Sequence, residues 1–188
     1  MAKPAVFLDK DGTLVENVPY NADPALTRLL PGAGEAVRSI HANGWRVVVV
    51  TNQSGVARGL FPESALVGVE TRLRELLDEF GVPLAGFFYC PHHPDGIVPS
   101  YSFACGCRKP APGLILAATQ HLGVDPRDCW MIGDSPSDVE AGQQAGCGTI
   151  LVRRAGIAFP TPSQRPHFVA GNLMDASRHL LRPSEFGD

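Results

Sequence analysis

In the stretch Val6-Phe7-Leu8-Asp9-Lys10-Asp11-Gly12-Thr13-Leu14, an apolar run ends in two carboxylates one residue apart, followed at once by Gly-Thr. Alternate side chains of an extended segment share a face, so Asp9 and Asp11 point into one space while Gly12 lets the backbone turn away. Like charges held that close raise a carboxyl pKa, and the pattern calls for a bound cation or a shared proton. A solvated Asp-Gly turn or a calcium loop uses the same residue types, so the rest of the chain must decide.

Three further polar clusters bear on the question: Thr51-Asn52-Gln53-Ser54-Gly55, Arg108-Lys109, and Gly133-Asp134-Ser135-Pro136-Ser137-Asp138. Acids, a lysine, a hydroxyl with an amide neighbour, and glycines that expose backbone N–H groups together describe a site for a phosphate with a divalent cation. A carboxylate nucleophile approaches a phosphate dianion only where positive charge intervenes, and Mg²⁺ held by oxygen ligands supplies it. A second set of residues, Cys90-Pro91-His92 and Cys105-Gly106-Cys107, offers three thiols and an imidazole in two tight pairs, enough for a closed tetrahedral Zn²⁺ site. Buried cysteines with a surface histidine are the alternative. His93 rivals His92 as ligand, while Cys129 and Cys147 read as core.

The elements that must position these groups follow from periodicity. Trp45 to Val50 is a β-branched run without alternation, as in a parallel strand covered on both faces, and Gly86 to Tyr89, Trp130 to Ile132 and Thr149 to Val152 read as further strands. His167 to Val169 is a weaker one. Helical spacing predicts helices over Gly34 to Asn43, Glu63 to Phe80, Pro112 to Leu122, Val139 to Ala145 and Met174 to Leu181. Glu16 to Leu30 reads as a polar loop over the strand ends, too short for an inserted domain, and Cys90 to Pro110 as a long functional loop. Alternating strands and helices predict an α/β fold, a Rossmann-like doubly wound parallel sheet with helices on both faces, a minimal cap and a zinc-binding loop. Ligands of such sheets sit beyond the carboxyl ends of the strands, where all four polar clusters fall.

At 188 residues and 44% hydrophobic content the chain can bury one sizeable core, so residues 1–188 are expected to form one domain. A net charge of −3 excludes the basic excess that draws proteins to nucleic acid or anionic membrane. Met1-Ala2-Lys3-Pro4 runs straight into the first strand, and no segment has signal-peptide or membrane-spanning character, so a cytoplasmic protein is expected. An odd count of five cysteines argues for reduced thiols or a metal rather than disulfides. A small-molecule partner and a monomer are expected.

Asp9-x-Asp11-Gly12-Thr13, Thr51-Asn52, Lys109 and Gly133-Asp134-x3-Asp138 resemble, in order, the four motifs of the haloacid dehalogenase superfamily. The resemblance implies that Asp9 attacks phosphorus to form an aspartyl phosphate and that Asp11 protonates the leaving oxygen and then activates water. It also implies that Asp9, the Asp11 main-chain carbonyl and Asp134 hold Mg²⁺, while Thr51 and Lys109 stabilise the transferring phosphoryl group. Asp138 is open between orienting Lys109, completing the metal's outer shell and capping the following helix.

Together with Thr51 to Gly59, the segments Cys90-Pro91-His92-His93-Pro94 and Cys105-Gly106-Cys107-Arg108-Lys109-Pro110 are similar to the D-glycero-D-manno-heptose 1,7-bisphosphate 7-phosphatases. The histidinol-phosphate phosphatases share the zinc loop. This likeness implies Zn²⁺ on Cys90, His92, Cys105 and Cys107, and a sugar phosphate contacted by Asp9, Lys10 and Asp11, by Asn17, Val18, Pro19 and Tyr20, by Thr51, Asn52, Gln53 and Ser54, and by Arg108 and Lys109. Ser135 stands where some members carry a lysine, which bears on anomer preference. Arg108, with Arg58 behind it, suits a second phosphate, whereas Glu16, Tyr20 and Asp23 would suit the amine and imidazole of histidinol phosphate.

Overall fold

A computed structural model of the protein describes residues 3–152 and 165–181. Residues 1–2, 153–164 and 182–188, which the single-domain expectation also spans, lie outside the described residues. Six strands form one parallel sheet: β1 (Ala5–Leu8), β2 (Arg46–Asn52), β3 (Leu84–Cys90), β4 (Trp130–Gly133), β5 (Gly148–Val152) and β6 (Phe168–Ala170). Their order is β3-β2-β1-β4-β5-β6, with the two halves of the chain winding outward from β1 and β4. The switch point between those two strands opens a crevice at their carboxyl ends.

Helices cover both faces. On one, α1 (Ala33–Ala42), α2 (Ala65–Asp78) and α5 (Leu173–Leu180) pack Val37, Ile40, Leu73, Leu77 and Leu173 against Val6, Leu8, Val47, Val49 and Ile132. On the other, α3 (Gly113–Leu122) and α4 (Pro136–Ala145) pack Leu114, Ile115, Ala118 and Ala141 against Phe7, Val48, Val50 and Met131. Successive residues of β1 and β2 therefore enter opposite cores, and both strands are buried without alternating polarity. Cys129 and Cys147 belong to the second core, as their sequence context suggested.

The structure moves several expected element bounds by one to three residues and adds detail to the segment after Asp11. Helix α4 begins at Pro136, not Val139, because Pro136 occupies the first helical position and Ser135 caps it. Strand β6 is displaced by one residue from the expected His167 to Val169. The segment after Asp11 is tied back to the domain by backbone bridges from Val15 to Asp11 and Leu29. It carries a short 3-10 turn, Pro24–Leu26, where Asp23 accepts a hydrogen bond from the Ala25 N–H. No described helix is long and apolar enough to cross a membrane.

Candidate active site

The site is built where four strands end. Asp9 follows β1 directly, and its N–H donates to the Ile132 carbonyl of β4 at 2.9 Å, which aligns the two central strand ends. Gly12, at a φ of 88°, then turns the chain in the left-handed region that favours glycine. Asp134 leaves β4 just after Gly133. A Cβ on Gly133 would lie 2.3 Å from the Asp138 Cβ, so glycine is what lets the first turn of α4 fold over the strand end.

Lys109 arrives from the long loop after β3 and is 4% exposed. Its ammonium donates to Asp9 Oδ1 at 2.6 Å and to the Val50 carbonyl at 2.9 Å, and pairs with Asp138 Oδ1 at 2.6 Å. All three of its N–H donors are thus engaged. Burial opposes the charge, but Asp138 and Asp9 outweigh it and hold the ammonium above its usual range. Burial likewise pushes the Asp9 carboxyl up to about 7, with Lys109 opposing and Asp138 and Asp11 adding to the rise.

Asp138 fills two of the roles left open for it. One oxygen pairs with Lys109, while Oδ2 accepts from the Ser135 N–H at 3.0 Å and the Ser135 hydroxyl at 2.6 Å, closing the N-terminus of α4. Carboxylate oxygens of Asp9, Asp134 and Asp138 lie within 4.8 Å of one another, an all-oxygen donor set of the kind Mg²⁺ takes. A cation there would also offset the burial that raises the Asp9 carboxyl. Asp11, whose main-chain carbonyl the resemblance enlists, adds no carboxylate to this group; its Oδ1 accepts from Lys10 at 2.6 Å and its Oδ2 from Gln53 at 3.3 Å. Gln53 also donates to Thr51 Oγ1 at 3.0 Å.

A small hollow of about 150 Å³ is walled by Asp9, Asp11, Thr51, Asn52 and Lys109, with Ser135, Ser137 and Asp138 opposite. A larger cleft of about 320 Å³ adjoins it through Asp11 and Asn52, lined further by Asn17, Pro19, Tyr20, Gln53 and Ser54. Asn21 and Gly55 also line it, and Ser137 the hollow, three positions not among the expected contacts; Asn21 sits one residue past the anticipated run, while Gly55 and Ser137 lie within the second and fourth polar clusters. Val18, Lys10 and Arg108 line neither space. The Arg108 guanidinium reaches toward the His92 carbonyl at 3.5 Å, while that of Arg58 stacks over the Tyr20 ring at 5.9 Å and meets His93 Nε2 at 3.2 Å. Partial burial, then Arg108 and Arg58, hold the His93 imidazole below its usual range.

Cys90 and His92, where this loop leaves β3, converge with Cys105 and Cys107, just before Lys109. The Sγ atoms of Cys107 and Cys90 are 3.1 Å apart, those of Cys105 and Cys107 3.2 Å, and His92 Nδ1 lies 3.3 Å from Cys107. Cys90 and Cys105 are 3.5 Å apart, and every cysteine is free. A tetrahedron with metal–sulfur bonds of about 2.3 Å has edges near 3.8 Å, so a small inward set of four soft donors fits one thiophilic ion. His92, not His93, is the imidazole in the group.

A doubly wound sheet that gathers paired acids, a second acid cluster and a buried lysine at its switch point defines a phosphohydrolase of the haloacid dehalogenase class. The HAD-hydrolase-like family profile matches residues 106–176. The D-glycero-β-D-manno-heptose-1,7-bisphosphate 7-phosphatase of Escherichia coli K12 is 38% identical over 185 residues, 97% of each chain. A HAD-like phosphatase structure from Mesorhizobium loti is 36% identical with a TM-score of 0.81, covering 98% of this chain and 90% of that one. The D,D-heptose 1,7-bisphosphate phosphatase of B. bronchiseptica, solved with magnesium and phosphate, is 30% identical with a TM-score of 0.78, covering 95% and 98%. The chain belongs to the family of the D-glycero-β-D-manno-heptose-1,7-bisphosphate 7-phosphatases.

Proposed function

We propose that this chain hydrolyses the C7 phosphate of D-glycero-D-manno-heptose 1,7-bisphosphate, a step toward the nucleotide-activated heptose of lipopolysaccharide core. The observation that carries the reading is the convergence of Asp9, Asp11 and Lys109 around one hollow beside a cleft large enough for a phosphorylated sugar, in a chain that a heptose bisphosphate phosphatase matches over 97% of its length.

Asp9 attacks phosphorus and becomes the aspartyl phosphate, while the P–O7 bond breaks and Asp11 gives its proton to the sugar oxygen. Asp11, now a carboxylate, takes a proton from the water that attacks phosphorus, which frees inorganic phosphate and restores Asp9. Lys109 places positive charge against the nucleophile, and the Thr51 hydroxyl donates to the phosphoryl oxygens. Mg²⁺, held by Asp9, the Asp11 carbonyl and Asp134, supplies charge neutralisation between the carboxylate and the phosphate. Cys90, His92, Cys105 and Cys107 would hold Zn²⁺ in an architectural role, since four protein ligands would leave it no open position. Residues 1–188 act as one domain with a minimal cap, as a cytoplasmic monomer, with no nucleic acid or membrane partner.

Of the residues that would favour histidinol phosphate, Tyr20 lines the cleft, but Glu16 and Asp23 do not. Phosphate release from both anomers of the heptose bisphosphate, from histidinol phosphate and from simple sugar phosphates, ranked by kcat/KM, tests the assignment. A higher value for histidinol phosphate would overturn it.

A further inference from the structure

Lys10 stands between the two acids of the first motif, where an exposed charge would be unremarkable, yet it is 1% exposed and among the largest fully buried side chains. Lysine is almost never fully buried unless paired, because removing an ammonium from water costs several kcal/mol. The partner is its own neighbour: Nζ donates to Asp11 Oδ1 at 2.6 Å. In a continuing strand residues 10 and 11 would point to opposite faces. Here the chain has left extended geometry at Lys10, whose carbonyl accepts from the N–H groups of Leu14 and Val15 at 3.1 and 2.9 Å. The turn is closed on Lys10 at both its main chain and its ammonium.

Asp11 Oδ2 meets a looser contact, the Gln53 amide at 3.3 Å, and the same nitrogen sits 3.0 Å from Thr51 Oγ1. One oxygen of the carboxylate is therefore gripped from beneath by a buried cation. The other shares the Gln53 amide with Thr51, and both Asp11 and Thr51 line the hollow.

We propose that Lys10 is a positioning residue for the acid–base step: its ammonium fixes Asp11 Oδ1, so that Oδ2 is the atom that gives the proton to the departing sugar oxygen and later accepts one from water. Lys10 touches no substrate and transfers no proton; it acts through Asp11. The proposal rests on the assignment of Asp11 as the acid, and it replaces the substrate contact expected of the Lys10 side chain.

The test compares the holoenzyme with Lys10→Met, which keeps the stem and removes the ammonium, with Lys10→Arg, and with Asp11→Asn as reference. Each is assayed by kcat/KM, which reports the first transfer step, on a sugar phosphate and on p-nitrophenyl phosphate, whose leaving group departs without a proton. Lys10→Met should lose about 10- to 100-fold on the sugar phosphate and less than about 3-fold on the aryl ester, the same skew as Asp11→Asn, because only the first substrate needs proton donation. Lys10→Arg should restore the wild-type ratio. The ratio is normalised to active sites titrated by phosphoenzyme trapping, so partial unfolding lowers both numbers together and leaves it unmoved. If Lys10→Met does not fold, Lys10→Gln carries the same prediction. A wild-type ratio in the neutral variants while Asp11→Asn is skewed would overturn the proposal alone. An unskewed Asp11→Asn would overturn the acid assignment and the proposal with it.

Discussion

The side-chain amide of Asn52 and the backbone of Lys109 form a reciprocal pair: Asn52 Nδ2 donates to the Lys109 carbonyl at 3.1 Å, and the Lys109 N–H donates to Asn52 Oδ1 at 3.1 Å. An amide side chain thus imitates one rung of a β-ladder between positions 57 residues apart. Both polar atoms of Asn52 are turned to the loop that carries Lys109, so Asn52 helps to place that lysine as well as lining the hollow and the cleft.

Asn52→Ala should consequently lower kcat on the order of 10- to 100-fold, the scale on which a catalytic group misplaced by about 1 Å loses effect. Asn52→Asp keeps the acceptor but sets a carboxylate against the Lys109 carbonyl, and should fall further. Steady-state kinetics with saturating Mg²⁺ decide the matter: an unchanged kcat in both variants would mean that Lys109 is held by its ion pairs alone.

Strand and helix alternation was legible because β-branched runs and helical spacing are local properties, and all four polar clusters fell where a doubly wound sheet gathers its strand ends. The two Cys-x-ligand pairs were legible for the same reason. What escaped depends on closure of the fold. The start of α4 at Pro136 was written in Ser135-Pro136-Ser137-Asp138, a cap three residues from an acid, but the apolar periodicity that begins at Val139 concealed it. Nothing local distinguishes Lys10 from a solvated lysine, and nothing near Asn52 announces a partner beyond the next strand and loop.

Asp138 should weigh on stability and activity together, since one oxygen serves Lys109 and the other the start of α4. Removing one partner of a buried ion pair costs about 3–5 kcal/mol and losing a helix cap about 1 kcal/mol. Asp138→Ala should therefore unfold at markedly lower denaturant, whereas Asp138→Asn, still able to accept from the Ser135 N–H, should lose less stability and nearly as much activity. Equal stabilities of the two variants would show that the cap contributes nothing.

Arg58 should separate bisphosphates from monophosphates more sharply than Arg108. Its guanidinium lies over Tyr20 at the cleft wall, while Arg108 is directed toward the His92 carbonyl. A charge-assisted contact to the uncleaved phosphate is worth roughly 1.5–3 kcal/mol, or about 10- to 150-fold in kcat/KM, and Arg58→Ala should lose that on the heptose bisphosphate but little on monophosphates. Arg108→Ala should lose similarly on both classes through the loop it braces. The reverse pattern would assign the distal anion to Arg108.

The two metal groups should separate by experiment, because they are built from different donors and bear on different parts of the fold. Asp9 and Asp134 offer hard oxygen ligands at the reacting centre, so removing Mg²⁺ should stop turnover reversibly with little change in melting temperature. The soft cluster closes the loop that leads directly from Cys107 through Arg108 to Lys109, and the Gly113 N–H donates to the Gly106 carbonyl at 3.0 Å within the same turn. A Cβ on Gly113 would lie 2.3 Å from that carbonyl oxygen, so the turn between Cys105 and Cys107 packs directly against the start of α3. Loss of the ion should release this segment, and Lys109 with it, while leaving the sheet and both cores in place. Cys105→Ser is expected to lower zinc content, expose the loop to protease and reduce kcat on the order of 100-fold even with Mg²⁺ saturating. Elemental analysis of the purified protein is the first measurement. A zinc-free wild type, or a zinc-free Cys105→Ser that keeps full kcat and loop protection, would show that the cysteine cluster holds no metal on which Lys109 depends.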